Sequence, residues 1–235
     1  QSKEIKSFGL DLSGAFSKNF EKVQGRIIDP PQLEYRDSKK VSVNVEYGGT
    51  WFSGKFLTTF KKDLKWAILT TCASKKDDLA QFGMAIAKNA KNLGLDWMFL
   101  PSNLFNCDIN RVHNQFMELK ANGFELVFVV FEDAVGNYGK INRAAELDSS
   151  GVDIMTQCLK EATLSKMMRD STGRQLNQIC SNLLLKDNHK LNGTNYAIVE
   201  NALKAHKGIM FLGADVNHPG SSVKPSVAGI VASYD

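Results

Sequence analysis

The sequence is short of the features that announce most function classes. Its four cysteines, Cys72, Cys107, Cys158 and Cys180, form no CxxC pair and follow no secretory signal. They read as reduced, mostly buried thiols of a cytoplasmic or nuclear protein. No apolar run approaches the ~18 residues that cross a membrane, so no membrane partner is expected. No GxGxxG or GxxxxGK[ST] loop follows any expected strand, which disfavours a nucleotide- or dinucleotide-binding enzyme of Rossmann type. Internal repeats and low-complexity segments are lacking too. Net charge is small: 29 Lys and Arg against 25 Asp and Glu leave +4, which permits a polyanionic partner without demanding one. Apolar residues, by contrast, make up 43% of 235. That is enough for a sizeable core in one large domain, or in one domain with flanking pieces.

Residues 1–60 are irregular, with short strands expected at 8–10 and 23–28 and a turn at Gly48-Gly49-Thr50. Asp29-Pro30-Pro31-Gln32 suits neither a helix nor a central strand. This region is expected to be a linker that packs on a neighbour, with no fold of its own. From Lys65 the pattern turns regular. Strands are expected at 66–72, 96–100, 124–131 and 152–159. Helices are expected at 74–93, with Ser74 as N-cap and Gly94 as stop, at 109–121, capped by Asp108, at 137–147, and at 174–192. Four alternations of strand and helix predict an α/β fold: a Rossmann-like, mainly parallel sheet with helices on both faces. After a connector, 207–216 reads as a further buried strand ending in the carboxylate Asp215, with a hairpin partner at 226–234. The division expected is 1–60, 61–205 and 206–235. The opening Gln1-Ser2-Lys3 lacks an initiator Met and the last strand is unfinished at Asp235, so a piece of a longer protein is expected.

The chemistry concentrates between Tyr138 and Lys190. Lys186 and Lys190 are four apart and project from one helix face. Two closely spaced cations plus a neutral donor are what a phosphate needs. Gln157, with Cys158 beside it, supplies the neutral group, and Tyr138 offers a ring on which a terminal base stacks. Taken singly, each has an ordinary explanation: a half-buried surface tyrosine, a strand glutamine, a solvated pair of helix lysines.

The segment Phe211-Leu212-Gly213-Ala214-Asp215-Val216-Asn217-His218-Pro219, with Pro225-Ser226-Val227-Ala228 after it, resembles the opening of the PIWI domain of Argonaute proteins, a fold related to ribonuclease H. Val23 to Tyr35 resembles the linker that precedes the middle (MID) domain of eukaryotic members. Thr156-Gln157-Cys158-Leu159 and Leu176 to Gly193 resemble the MID segments that form a 5′-phosphate pocket. The resemblance implies that Tyr138 stacks on the first guide base, and that Gln157, Cys158, Lys186 and Lys190 line the phosphate site. It also implies that Glu132, Asp133, Ala134, Val135, Gly136 and Asn137 form the first-base loop. Asn142 stands where the family has a lysine and is expected to supply a polar contact to the phosphate; Lys140 and Arg143 are nearby candidates to compensate. This leaves the ligand open between a 5′-monophosphate and a 5′-triphosphate end. The implied partners are a small guide RNA and, through the longer protein, target RNA and silencing cofactor proteins. Asp215 would be the first carboxylate of a PIWI metal site. No cofactor is expected for this stretch, with Mg²⁺ a candidate in the longer protein. Cleavage is not expected of this stretch, and RNA-guided endoribonuclease activity stays open for the longer protein. The readings from other classes are a nucleotide-binding enzyme domain and a protein-interaction module with a vestigial pocket.

Overall fold

In a computed structural model, the described residues are 7–9, 24–26, 29–44, 49, 51, 54–59, 64–146, 151–199, 208–218 and 225–232. Residues 1–30 and 31–235 form two compact units. In the first, Phe8 and Gly9 lie in a turn and Gln24 to Arg26 have no regular structure. The rest of the two strands expected there falls outside the described residues.

The second unit is centred on a four-stranded parallel sheet. Its strands are β3 (Trp66–Thr70), β4 (Leu104–Asn106), β5 (Leu126–Phe131) and β6 (Met155–Lys160), in the order β4-β3-β5-β6. Every residue of β3 and β5 is buried, because these continuous apolar runs are covered on both faces. The period of two divides them. Trp66, Ile68, Leu126, Phe128 and Val130 meet the buried sides of α1 (Lys76–Asn92), α4 (Glu161–Arg169) and α5 (Arg174–Lys190). Ala67, Leu69, Val127, Val129 and Phe131 meet α2 (Val112–Ala121) and α3 (Asn137–Glu146). Phe128 is the keystone of the first face, edge-on to Trp66 at 5.4 Å and to Phe82 at 5.8 Å. Each such pair contributes about 0.5–1.5 kcal/mol beyond simple burial.

Several expectations need correction. The apolar segment Asp96–Leu100 is not a strand: Trp97 is buried in the core and the Phe99 ring lies 5.7 Å from Trp66. A Cβ on Gly83 would collide with that Phe99 ring, so α1 carries glycine where the segment crosses it. Core packing wins over strand pairing there, and the sheet partner comes later, at β4. Lys75 rather than Ser74 precedes α1 as N-cap; the Ser74 hydroxyl instead accepts from Thr70 Oγ1 at 3.3 Å. The helix α4 has no counterpart in the sequence reading. Two short strands lie in the 1–60 region, one of them paired with a strand from far along the chain. β1 (Gln32–Glu34) is the central strand of an antiparallel sheet between β2 (Lys40–Ser42) and β7 (Ala197–Val199). Pro31 is tolerated because it lies just outside β1, where its missing N–H removes no ladder bond.

Beyond the sheet, β8 (Leu212–Asn217) and β9 (Val227–Ala232) pair as the expected antiparallel hairpin. Both strands are exposed along their length rather than buried. Asp215 does not end its strand but sits inside it, opposite Gly229. The boundary expected near residue 205 falls outside the described residues.

Candidate phosphate-binding site

The expected site residues stand on three elements, the turn into α3, the edge strand β6 and the last turn of α5; of these residues, hydrogen bonds join Lys190, Gln157 and Cys158. After β5 the chain turns through 132–136. Gly136 takes φ +87°, a left-handed backbone that glycine adopts without steric penalty. The turn is held internally: Ala134 N donates to Glu132 O at 2.8 Å, and Asn137 Nδ2 donates to the same oxygen at 3.1 Å. Asp133 is held from outside by Lys160, the last residue of β6, at 2.6 Å. Val135 is fully exposed at the tip. Tyr138 follows in the first turn of α3, 55% exposed, its ring 6.1 Å from that of Phe131. Asn142 is one turn further on the same face and half-buried. Lys140 donates to Asn110 Oδ1 at 3.0 Å, and with Arg143 it lines a different cleft beside His113.

The cationic part is tied to β6. Lys190 Nζ donates to Thr156 O at 2.8 Å and to Gln157 Oε1 at 3.2 Å, while Gln157 Nε2 donates to Cys158 O at 3.3 Å. β6 is an edge strand, so its outer backbone groups lack a neighbouring strand, and the Lys190 ammonium satisfies one of these carbonyls. Gln157 is buried and pairs with Phe128 in mid-strand. Lys190 therefore meets the first half of β6, and Tyr138 lies past the opposite end of β5. The rule placing ligands beyond the carboxyl ends of strands describes the tyrosine and the loop, not the lysines.

Lys186 is exposed one turn before Lys190. Burial pushes the Cys158 thiol up to about 11, against the opposing pull of Lys190. The thiol therefore stays neutral and is no nucleophile near neutral pH. The end of α5 is braced by Asn188, whose Nδ2 donates to Thr58 O at 3.2 Å and Asn195 Oδ1 at 2.9 Å. Lys190 also borders an open cleft of about 870 Å³ with Lys120, Glu125, Glu146 and Asp153.

Sequence reasoning missed Asp187, which lies between the two lysines in sequence, is fully buried, and has no hydrogen-bond partner on either oxygen among the described residues. The signal was available: Cys180, Leu183 and Leu184 define the buried stripe of α5, and position 187 continues it at helical spacing. The Asp133–Lys160 pair was missed because it joins residues far apart in sequence.

The carboxylate Asp215 has no metal-ligand cluster around it among the described residues. It is exposed, and no three His, Cys, Asp or Glu side chains among the described residues gather where a cation would be held. His218 Nδ1 lies 2.7 Å from Ser226 Oγ.

Comparison with known proteins bears on the whole chain. The Piwi domain profile matches residues 125–235. Protein argonaute-2 of Drosophila melanogaster is 32% identical over 98% of this chain and 18% of its own length. Protein argonaute 5 of Arabidopsis thaliana is 26% identical over 98% of this chain and 23% of its own length. The chain thus spans about a fifth of these curated relatives. The crystal structure of Drosophila Piwi superposes with a TM-score of 0.73 at 20% identity, covering 93% of this chain and 29% of that one. The MID-PIWI domains of N. crassa QDE-2 superpose with a TM-score of 0.55 at 26% identity, covering 76% of this chain and 50% of that one. Matched in sequence along nearly its full length and in the fold of its parallel sheet, the chain belongs to the Argonaute family.

Proposed function

We propose that this chain captures the 5′-phosphorylated end and first nucleotide of a small guide RNA for RNA-guided silencing. The observation that carries the reading is the Lys190 ammonium held against Thr156 O and Gln157 Oε1 on the open edge of β6. That arrangement presents a cation and an amide to an incoming anion. Lys186 adds a second charge from the same helix face, and Tyr138 offers a half-exposed ring to the first base. The Glu132–Asn137 turn faces that base. Fixing the strand's end sets the register in which the guide meets its target. The longer protein's action on target RNA, its silencing partners, a cytoplasmic or nuclear setting and any Mg²⁺ chemistry are parts of this proposal that lie beyond the chain. Among the described residues Asp215 has no further metal ligands gathered round it.

The test is binding of one short RNA carrying a 5′-hydroxyl, monophosphate or triphosphate. Phosphorylated strands should bind at least about tenfold more tightly, since each charge-assisted contact contributes about 1.5–3 kcal/mol. The advantage should shrink with salt. Equal binding of all three overturns the reading. Asn142→Lys sharpens it: a gain for the monophosphate over the triphosphate assigns the wild-type pocket to the larger end, and the same gain for both assigns it to the monophosphate.

A further inference from the structure

Asp187 is unlike any other acidic group among the described residues. It has no exposed surface, and neither carboxylate oxygen has a hydrogen-bond partner. A buried polar group so placed is costly and calls for an explanation. It precedes Lys190 by three residues and follows Lys186 by one, in the last turn of α5. We infer, on the reading of the site given above, that Asp187 is a positioning residue for the two phosphate-binding lysines. Protonated, it leaves both ammoniums to the RNA phosphate; ionised, it competes for them. Capture of a 5′-phosphorylated strand then draws a proton onto Asp187.

The surroundings support this division. Charged side chains stand on the elements packed against α5, among them Lys88 and Lys91 of α1 and Lys166 and Arg169 of α4. Lys55 stands in the segment contacted by Asn188. The charges that act on Asp187 are those of Lys190 and Lys186. Burial outweighs both and pushes the carboxyl up to about 7, so its proton is exchanged near neutrality. An RNA phosphate drawing on the same lysines removes their stabilisation of the carboxylate and adds a like charge, and both effects favour the protonated form.

The test compares the 235-residue chain with its Asp187→Asn variant, using one RNA with a 5′-phosphate or a 5′-hydroxyl, at pH 5.5 and 8.5. The phosphate's own ionisation near pH 6 acts on both proteins alike and cancels in their ratio. The variant should match wild type for phosphorylated RNA at pH 5.5 and bind about fivefold more tightly at pH 8.5, with no such change for hydroxyl RNA. A ratio independent of pH, with phosphate preference intact, overturns the inference and leaves the site standing. Loss of phosphate preference in the wild type at both pH values overturns the site and the inference together. Should the variant not fold, NMR of the wild-type Asp187 carboxyl carbon gives the same answer. Its titration midpoint should rise on adding phosphorylated RNA and stay put with hydroxyl RNA; an unmoved midpoint overturns the inference.

Discussion

The two halves of the proposed cradle are built differently. The cationic half is braced: Lys190 is fastened to β6 by two hydrogen bonds, and Asn188 pins the end of α5 to Thr58 and Asn195. The aromatic half is open: Tyr138 is 55% exposed with its ring against Phe131, and Val135 is fully exposed at the loop tip. On the function proposed above, charge recognition is fixed before the ligand arrives, while base recognition is completed by it. A phosphate is the same on every strand and rewards a preset geometry. The first base varies and needs a surface that adapts.

Breaking the braced half should cost most. Lys190→Ala should weaken binding of phosphorylated RNA roughly ten- to a hundredfold, following the ~1.5–3 kcal/mol of a charge-assisted contact. It should also lower the melting temperature slightly, because Thr156 O loses its donor. Lys186→Ala should cost roughly tenfold for phosphorylated RNA, at unchanged melting temperature, since Lys186 is exposed. Calorimetry on the free proteins separates the two.

Changes in the open half should be smaller and blind to phosphate. Tyr138→Ala should lose roughly fivefold, equally for phosphate and hydroxyl ends, as expected of a stack worth about 1 kcal/mol. Tyr138→Phe should restore it. A loss confined to phosphorylated strands would move Tyr138 into the charge half and break the comparison. Smallest of all is Lys160→Met, which releases Asp133 from an exposed ion pair worth about 0–1 kcal/mol. Its effect should appear in the ratio of affinities for strands with different first bases, not in overall binding.

A stability measurement sharpens the picture of α5. Because the Asp187 carboxyl is raised in the folded state, from 3.8 to about 7, the folded protein holds its proton more tightly than the unfolded chain. Stability is therefore lost as pH climbs between those values and stays lower above them. Asp187→Asn should raise the melting temperature relative to wild type at pH 8, and the gain should vanish at pH 4.

How much of this was legible in the sequence depended on range. β5 announced itself because Leu126 to Phe131 is an unbroken apolar run, and α1 because Leu79, Phe82 and Ile86 repeat at helical spacing before Gly94. The residues proposed to hold the phosphate were read as an ordered motif, and two of them, Gln157 and Lys190, meet in a hydrogen bond. What stayed hidden depends on distant partners. The three-residue strands β1 and β7 acquire meaning only by pairing Gln32 with Val199. Asp96–Leu100 has a better strand pattern than Leu104–Asn106, yet Trp97 and Phe99 are claimed by the core. The Lys190–Thr156 bond involves a backbone oxygen, which no residue-type pattern reveals.

The most direct measurement is a crystal structure of this chain with a nucleoside 5′-monophosphate. The phosphate should lie within hydrogen-bond distance of the Lys186 and Lys190 ammoniums and the Gln157 amide, with the base against the Tyr138 ring. A phosphate bound elsewhere, with these groups unmoved and untouched, would contradict the account.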